Sequence, residues 1–227
     1  MSAQIPLADE FWLCAHDTVV RRAQLGSRPL GIGLAAALLT ELVIWRCLTI
    51  SSGRLYPVPG ATLPDDPALA PVMSQLIEEE RRNRSHRLDP TPAGQRARDW
   101  IAFLSADNRA ADLVVARLSR TGLVSRQERR SLLGRPTVYY TPTDTNATGW
   151  PAVRISTALQ KGRELSELDL VLAGLMLATG LHQRTLALLE QHELVRLAEQ
   201  IKRRMHIMLR EILHHAETAV GETVMTR

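Results

Sequence analysis

The sequence predicts a mainly α protein: a single globular helical-bundle domain carrying two small β-hairpins. Three observations carry this. Hydrophobic residues make up 45% of the 227-residue chain but aromatics only 4%, so the core must rest on Leu, Ala, Val and Ile, and the heavy use of Leu and Ala favours helix. Apolar residues recur at helical spacing in segment after segment. Two short β-prone runs each surround a glycine-containing turn, one at Ser51-Ser52-Gly53 and one near Gly134. No long linker divides the chain. One domain is therefore expected over residues 5–216, with 217–227 as a frayed tail.

Taken in order, Asp9 to Asp17 reads as a short amphipathic helix with Phe11, Leu13 and Cys14 inward, and Arg21 to Pro29 as a loop. Gly31 to Trp45 is apolar nearly all round, which predicts a helix at the centre of the domain. It carries Glu41 and falls short of the roughly 20 residues a membrane span needs. "GIGLAA" partly matches a dinucleotide-binding loop, but no strand precedes it, so Gly31 and Gly33 are read as permitting close helix packing. Cys47 to Val58 is the first hairpin. Pro59 to Pro67 is a loop, with Asp65 or Asp66 capping a helix from Pro67 to Arg82 that lines up Leu69, Val72, Met73, Leu76 and Ile77. Glu78 to Arg87 is a solvated helix end and Leu88 to Gly94 a break. Helices follow at Gln95 to Leu104 and Asn108 to Thr121, the second closed by Gly122. Leu123 to Pro142 is the second hairpin and 143–149 a polar loop. The remaining helices are Pro151 to Arg163, Glu167 to Thr179 and a long one from Arg184 to Ala216.

The chemistry-bearing residues do not assemble into an enzyme motif. Seven histidines show no metal-ligand spacing: His214 and His215 adjoin and point apart, and His182, His192 and His206 fall on polar helix faces. His16-Asp17 pairs a base with a possible orienter, but a helix end favours the protonated imidazole through the dipole. No nucleophile is placed by motif, so no catalytic residue, metal or cofactor is expected. Cys14 and Cys47 lie in apolar runs and read as buried free thiols of a reducing cytosol. No signal-peptide pattern is seen at the N-terminus. Net charge is +4, a mild basic bias compatible with an anionic partner. The chain has two lysines, Lys161 and Lys202; this preference for Arg points to a GC-rich, bacterial source.

The stretch "RRSLLGRPTVYY" poses the functional question. Leu132 and Leu133 sit beside Gly134 at the expected tip of the second hairpin, ringed by Arg126, Arg129, Arg130 and Arg135. Three readings stand. The leucines pack on the protein itself or on another subunit, as in an oligomer or protein–protein adaptor. They dip into an anionic membrane surface while the arginines meet lipid headgroups. Or the hairpin is the wing of a winged-helix DNA-binding regulator, its arginines on phosphates. For the last, an apolar tip fits poorly, and Leu113, Val114, Val115 and Leu118 leave the preceding helix few polar side chains for base edges.

Three collinear stretches resemble the Golgi phosphoprotein 3 family, including its bacterial members: "LADEFWLCAHD", "LAAALLTELVIWRCLTISSGRLYPV" and "ARLSRTGLVSRQERRSLLG". Their order and spacing match over about residues 5 to 215. Most specific are the apolar helix Leu34 to Leu48 with Glu41-Leu42, and the "TGLV" turn, Thr121 to Val124. The resemblance implies a mostly helical domain that acts as a cytosolic peripheral membrane protein. In eukaryotic members it binds phosphatidylinositol 4-phosphate and retains glycosyltransferases as an adaptor, with an apolar hairpin tip inserting into the bilayer. Leu132 and Leu133 fall at that tip. The resemblance thus implies anionic membrane lipid as partner, together with client proteins, and ranks nucleic acid lower. The positions matching the family's headgroup-binding Trp and Arg residues hold Gly26, Ala35, Asn108 and Ala111, so none carries over; Arg28 and Arg109 lie close by as possible substitutes.

Overall fold

The computed structural model describes residues 5–17, 22–85, 93–131 and 134–225. It is a mainly helical single domain. Helix α2, Ser27–Ile44, is its axis: every residue from Leu30 to Val43 is buried. Around it pack α1 (Leu7–Cys14), α3 (Leu69–Ser85), α4 (Ala97–Ser105), α5 (Arg109–Arg120), α7 (Glu167–Thr179) and α10 (Ile207–Met225). Among the described residues α2 is the one helix long and apolar enough to cross a membrane, but 78% of it is buried in the protein, as befits a core helix. It begins a turn earlier than Gly31 because Pro29 sits in its first turn, where a missing N–H leaves no helical bond unmade.

The close approach expected of "GIGLAA" is observed. A Cβ on Gly33 would run into the Phe11 ring of α1 and come within 3.0 Å of Thr179 Cγ2, while one on Gly31 would lie 3.0 Å from the Ser105 carbonyl oxygen. Since α1 and α7 cannot both yield, Gly33→Ala should cost about 1–3 kcal/mol by overpacking. Urea unfolding, with Gly149→Ala as a control at a glycine with open space around it and no positive φ, checks this.

Strands β3 (Leu48–Ser51) and β4 (Arg54–Pro57) form the first hairpin, with Ile50 opposite Leu55. Gln95 and Arg96, read as helical from the sequence, instead form β5, which pairs with β4 and makes the sheet three-stranded. The Gln95 amide explains the change. It is buried, donates to the Leu76 carbonyl at 3.0 Å and accepts from Trp100 Nε1, so it ties α3 to α4 across the sheet edge. A two-residue ladder, β1 (His16–Asp17) with β2 (Arg22–Ala23), closes the segment after α1. Asp66 caps α3 as expected, its Oδ1 accepting from the N–H groups of Ala68 at 2.8 Å and Leu69 at 2.9 Å.

Further helix boundaries differ from the sequence reading. Helix α6 spans Thr145–Gln160, so the polar stretch 143–149 is mostly its first turns. Asp144 caps it by accepting the Asn146 N–H at 2.8 Å, and Pro151 lies inside rather than at the start. The long helix from Arg184 is broken into α8 (His182–Thr185), α9 (Gln191–Arg204) and α10. No Gly or Pro marks those breaks. A capping box between Glu190 and Glu193 starts α9, and Met205, at ψ 135°, separates it from α10. Helix α10 continues past Ala216 to Met225, through most of the segment read as a frayed tail.

Candidate functional site

The second hairpin pairs β6 (Val124–Ser131) with β7 (Gly134–Pro142), from Val124 opposite Pro142 to Ser131 opposite Gly134. It is anchored at its base, where Val124 is buried and Tyr140 packs against the core, and its main neighbours are α5 and α6. At about 3.3 Å per residue the ladder is roughly 25 Å long, and Arg126, Gln127 and Glu128 along it are exposed. The register shifts between Arg129 and Ser131, across from Pro136, which has no N–H to give the ladder. Leu132 and Leu133 lie outside the described residues; in sequence they join Ser131 to Gly134. Arg129, Arg130 and Arg135 belong to the paired strands by backbone. Arg126 is exposed and forms an ion pair with Glu128 at 2.7 Å. That acid was missed in the sequence reading, and it offsets one of the four arginine charges.

The two arginines considered for a headgroup separate. Arg28, in the first turn of α2, lines a cleft of 460 Å³ with Ser27, Ser105, Asp107 and Asn108. The α2 N-cap is Gly26, which has no side chain to bond the first N–H groups, and the helix dipole makes this end attractive to an anion. Arg109 faces elsewhere. Its guanidinium lies 4.4 Å over the Phe103 ring, donates to the Phe103 carbonyl at 2.8 Å and pairs with Asp107 at 2.9 Å. It lines a second, apolar groove between α3 and α5 with Val72 and Leu113. Of the four positions matching the family's headgroup residues, Asn108 lines the cleft and Ala35 is wholly buried inside the bundle.

The strongest electrostatics lie in the core, and the sequence reading passed over them. Arg117 is buried on α5 and makes three carboxylate contacts: Nε to Asp9 Oδ1 at 2.9 Å, Nη1 to Glu41 Oε2 at 2.8 Å, and Nη1 to Asp66 Oδ1 at 3.0 Å. A further bond from Nη2 reaches Glu41 Oε1 at 3.1 Å, and that oxygen also accepts the Ala8 N–H at 2.7 Å. The cluster thereby joins α1, α2, α5 and the loop before α3. Burial pushes the Asp9 carboxyl up to about 7 against the pull of Arg117, and pushes Glu41 up as well; Arg117 is held protonated by its carboxylates. A second, partly exposed link has Arg154 of α6 bonding Glu10 of α1 at 3.2 Å and Asp169 of α7 at 2.6 Å. A signal was present for the buried cluster: Glu41 is the one charged residue in the apolar run from Leu30 to Trp45, and Arg117 falls between Val114 and Leu118 on the inward stripe of α5.

The histidine expectation is corrected at one position. His16 stacks on Trp12 at 3.6 Å and its Nδ1 lies 2.7 Å from the Trp12 carbonyl oxygen; burial lowers its pKa to about 4, so it is neutral near pH 7 rather than the imidazolium a helix end would favour. Among the described residues no group of three or more His, Cys, Asp or Glu could hold a metal ion. Cys14 and Cys47 are buried free thiols, and burial pushes both upward, Cys14 to about 12. On α5, the proposed recognition helix of the winged-helix reading, the exposed residues are Asp112, Ala116, Ser119 and Arg120, a face with little to offer phosphates or base edges.

Residues 7–222 match the model of the family described as Golgi phosphoprotein 3 (GPP34). No curated protein matches the chain.

Proposed function

Since the chain belongs to the Golgi phosphoprotein 3 (GPP34) family, we propose that it is a non-enzymatic, cytoplasmic peripheral membrane protein that binds anionic lipid surfaces through the β6–β7 hairpin. Membership fits a lipid-binding or adaptor role at a coarse level. The observation that carries the finer reading is the hairpin's build: a ladder packed on the core at its base and exposed at Arg126, Gln127 and Glu128, four arginines in its sequence, and two leucines in the sequence between its last paired residues. Each arginine near an anionic surface contributes about 1 kcal/mol. Each leucine, if buried in lipid, contributes about 1.5–3 kcal/mol. Together these support reversible attachment, not permanent anchoring.

The lipid in this reading is anionic in general, because the family's headgroup positions carry no basic residue here; Arg28 at the cleft is the described cation best placed to meet a headgroup. Client proteins held at that surface would be the adaptor side of the role.

Co-sedimentation with phosphatidylserine vesicles tests the proposal. Wild type should bind, and binding should weaken with added salt, since exposed charges are screened within about 8 Å at physiological ionic strength. Leu132→Asp with Leu133→Asp should abolish sedimentation while leaving thermal unfolding unchanged. Equal binding by wild type and the double variant removes the hairpin as anchor. Sedimentation velocity on both proteins tests the competing use of the leucines in self-assembly.

A further inference from the structure

A pocket of 280 Å³ opens at the C-terminal end of α2, far along that helix from the Arg28 cleft. Its walls are apolar: Ile5, Leu7, Leu69, Leu168 and the last α2 side chain, Ile44, with Trp45 just beyond. Trp45 is 64% exposed, so its ring is open to solvent where it lines the pocket. The polar groups at the pocket are Glu41, Asp66 and Arg117. Four facts set its electrostatics. The one guanidinium in this cluster faces three carboxylates, so the cluster carries an excess of negative charge when all are ionised. The Arg117 nitrogens are already bonded to those carboxylates and have little left for an anionic ligand. Asp9, wholly buried in the same cluster, has its Oδ2 without a hydrogen-bond partner. The carbonyl end of α2 adds partial negative charge at the same place.

We propose that this pocket binds a small organic cation, an ammonium or guanidinium on an apolar body, with the charge against Asp66 and Glu41 and the body between Ile44, Leu168 and the Trp45 ring. The chemistry is complementary at each point. A cation supplies the charge the carboxylates lack, the indole face attracts it, and the apolar walls cover its carbon skeleton. Asp66 is the reachable acid, its side chain being 20% exposed, whereas Glu41 is nearly closed off. The volume lies just below the range of ligand pockets for drug-sized molecules, about 300–1,000 Å³, and suits a small free amine rather than a long chain.

Isothermal titration with phenethylammonium, and with the anionic 3-phenylpropionate of similar shape, tests the site on the full chain. The ammonium should bind one site and the carboxylate should not. Trp45→Ala, which alters an exposed side chain, should weaken binding about fivefold through the lost cation–π contact. Asp66→Asn, which can still cap α3, should weaken it about tenfold. Binding should tighten about tenfold between pH 6 and pH 8, as Asp9 gives up its proton to the incoming charge, and this dependence should be smaller in Asp9→Asn, where Glu41 is the remaining raised carboxyl. Equal binding of the carboxylate, no saturable binding at millimolar ammonium, or unchanged affinity in both Trp45→Ala and Asp66→Asn overturns the proposal. Displacement by N-acetyl-lysinamide at equal concentration overturns the free amine in favour of a protein side chain.

Discussion

Arg117→Met should lower the stability of the protein by about 3–5 kcal/mol, the cost of leaving buried carboxylates without their cation. The methionine fills most of the arginine's volume, so the loss is electrostatic rather than a cavity. Asp9, Glu41 and part of Asp66 would remain inside the bundle, on three different segments, repelling one another. Acid should relieve the defect, since protonation removes that repulsion. Urea unfolding of wild type and Arg117→Met at pH 7.5 and pH 5 measures both effects. A variant as stable as wild type at pH 7.5 would show that Arg117 does not hold α1, α2 and α5 together. The double change of Arg117→Met with Glu41→Leu should recover part of the loss, because replacing a whole buried pair by apolar groups is far less costly than breaking it.

The second large effect is a pH dependence with an uncommon sign. Most paired carboxylates stabilise a fold as pH rises; Asp9 should do the reverse. Its carboxyl is pushed up to about 7 in the folded state, above its ordinary value of 3.8, because burial outweighs the Arg117 contact. The folded protein therefore holds a proton that the unfolded chain releases. The Asp9 contribution is fully present below about pH 4, declines as pH rises, and is lost once pH passes about 7. The whole swing corresponds to roughly 4 kcal/mol. Asp9→Asn keeps an oxygen for Arg117 Nε and has no proton to lose. Relative to this variant, wild type should lose stability steadily from pH 4.5 to pH 7.5 and run parallel above that. Parallel curves over the full range would place the Asp9 pKa in the ordinary carboxylate range.

The sequence was most legible where local physics decides. The all-round apolar pattern of Leu30 to Val43 requires burial on every side, and α2 is the core. The helix read over Glu167 to Thr179 is observed as α7 with those ends, which Ser166 and Gly180 cap. Gly33 against Phe11 was legible as close packing, though not the partner. Legibility failed where the decisive contact is distant in sequence. Gln95 reads as helical until its amide is seen bonded to Leu76 and Trp100. The run from Arg184 to Ala216 has unbroken helical composition, and its division depends on the Glu190–Glu193 capping box and the turn at Met205.

The candidate sites divide in the same way. Composition and order alone determined a single helical domain, its central helix, two hairpins, and a basic stretch with two leucines at the second turn. Those features follow from hydrophobic periodicity and turn chemistry, which act over a few residues. Only the tertiary structure decided that Arg28 faces a cleft while Arg109 folds onto Phe103, that His16 is neutral under Trp12, and that Asp9, Glu41, Asp66 and Arg117 meet. Asp9 and Arg117 are 108 residues apart. Electrostatic energy depends on distance and burial in space, and neither is written in the spacing of residues along the chain.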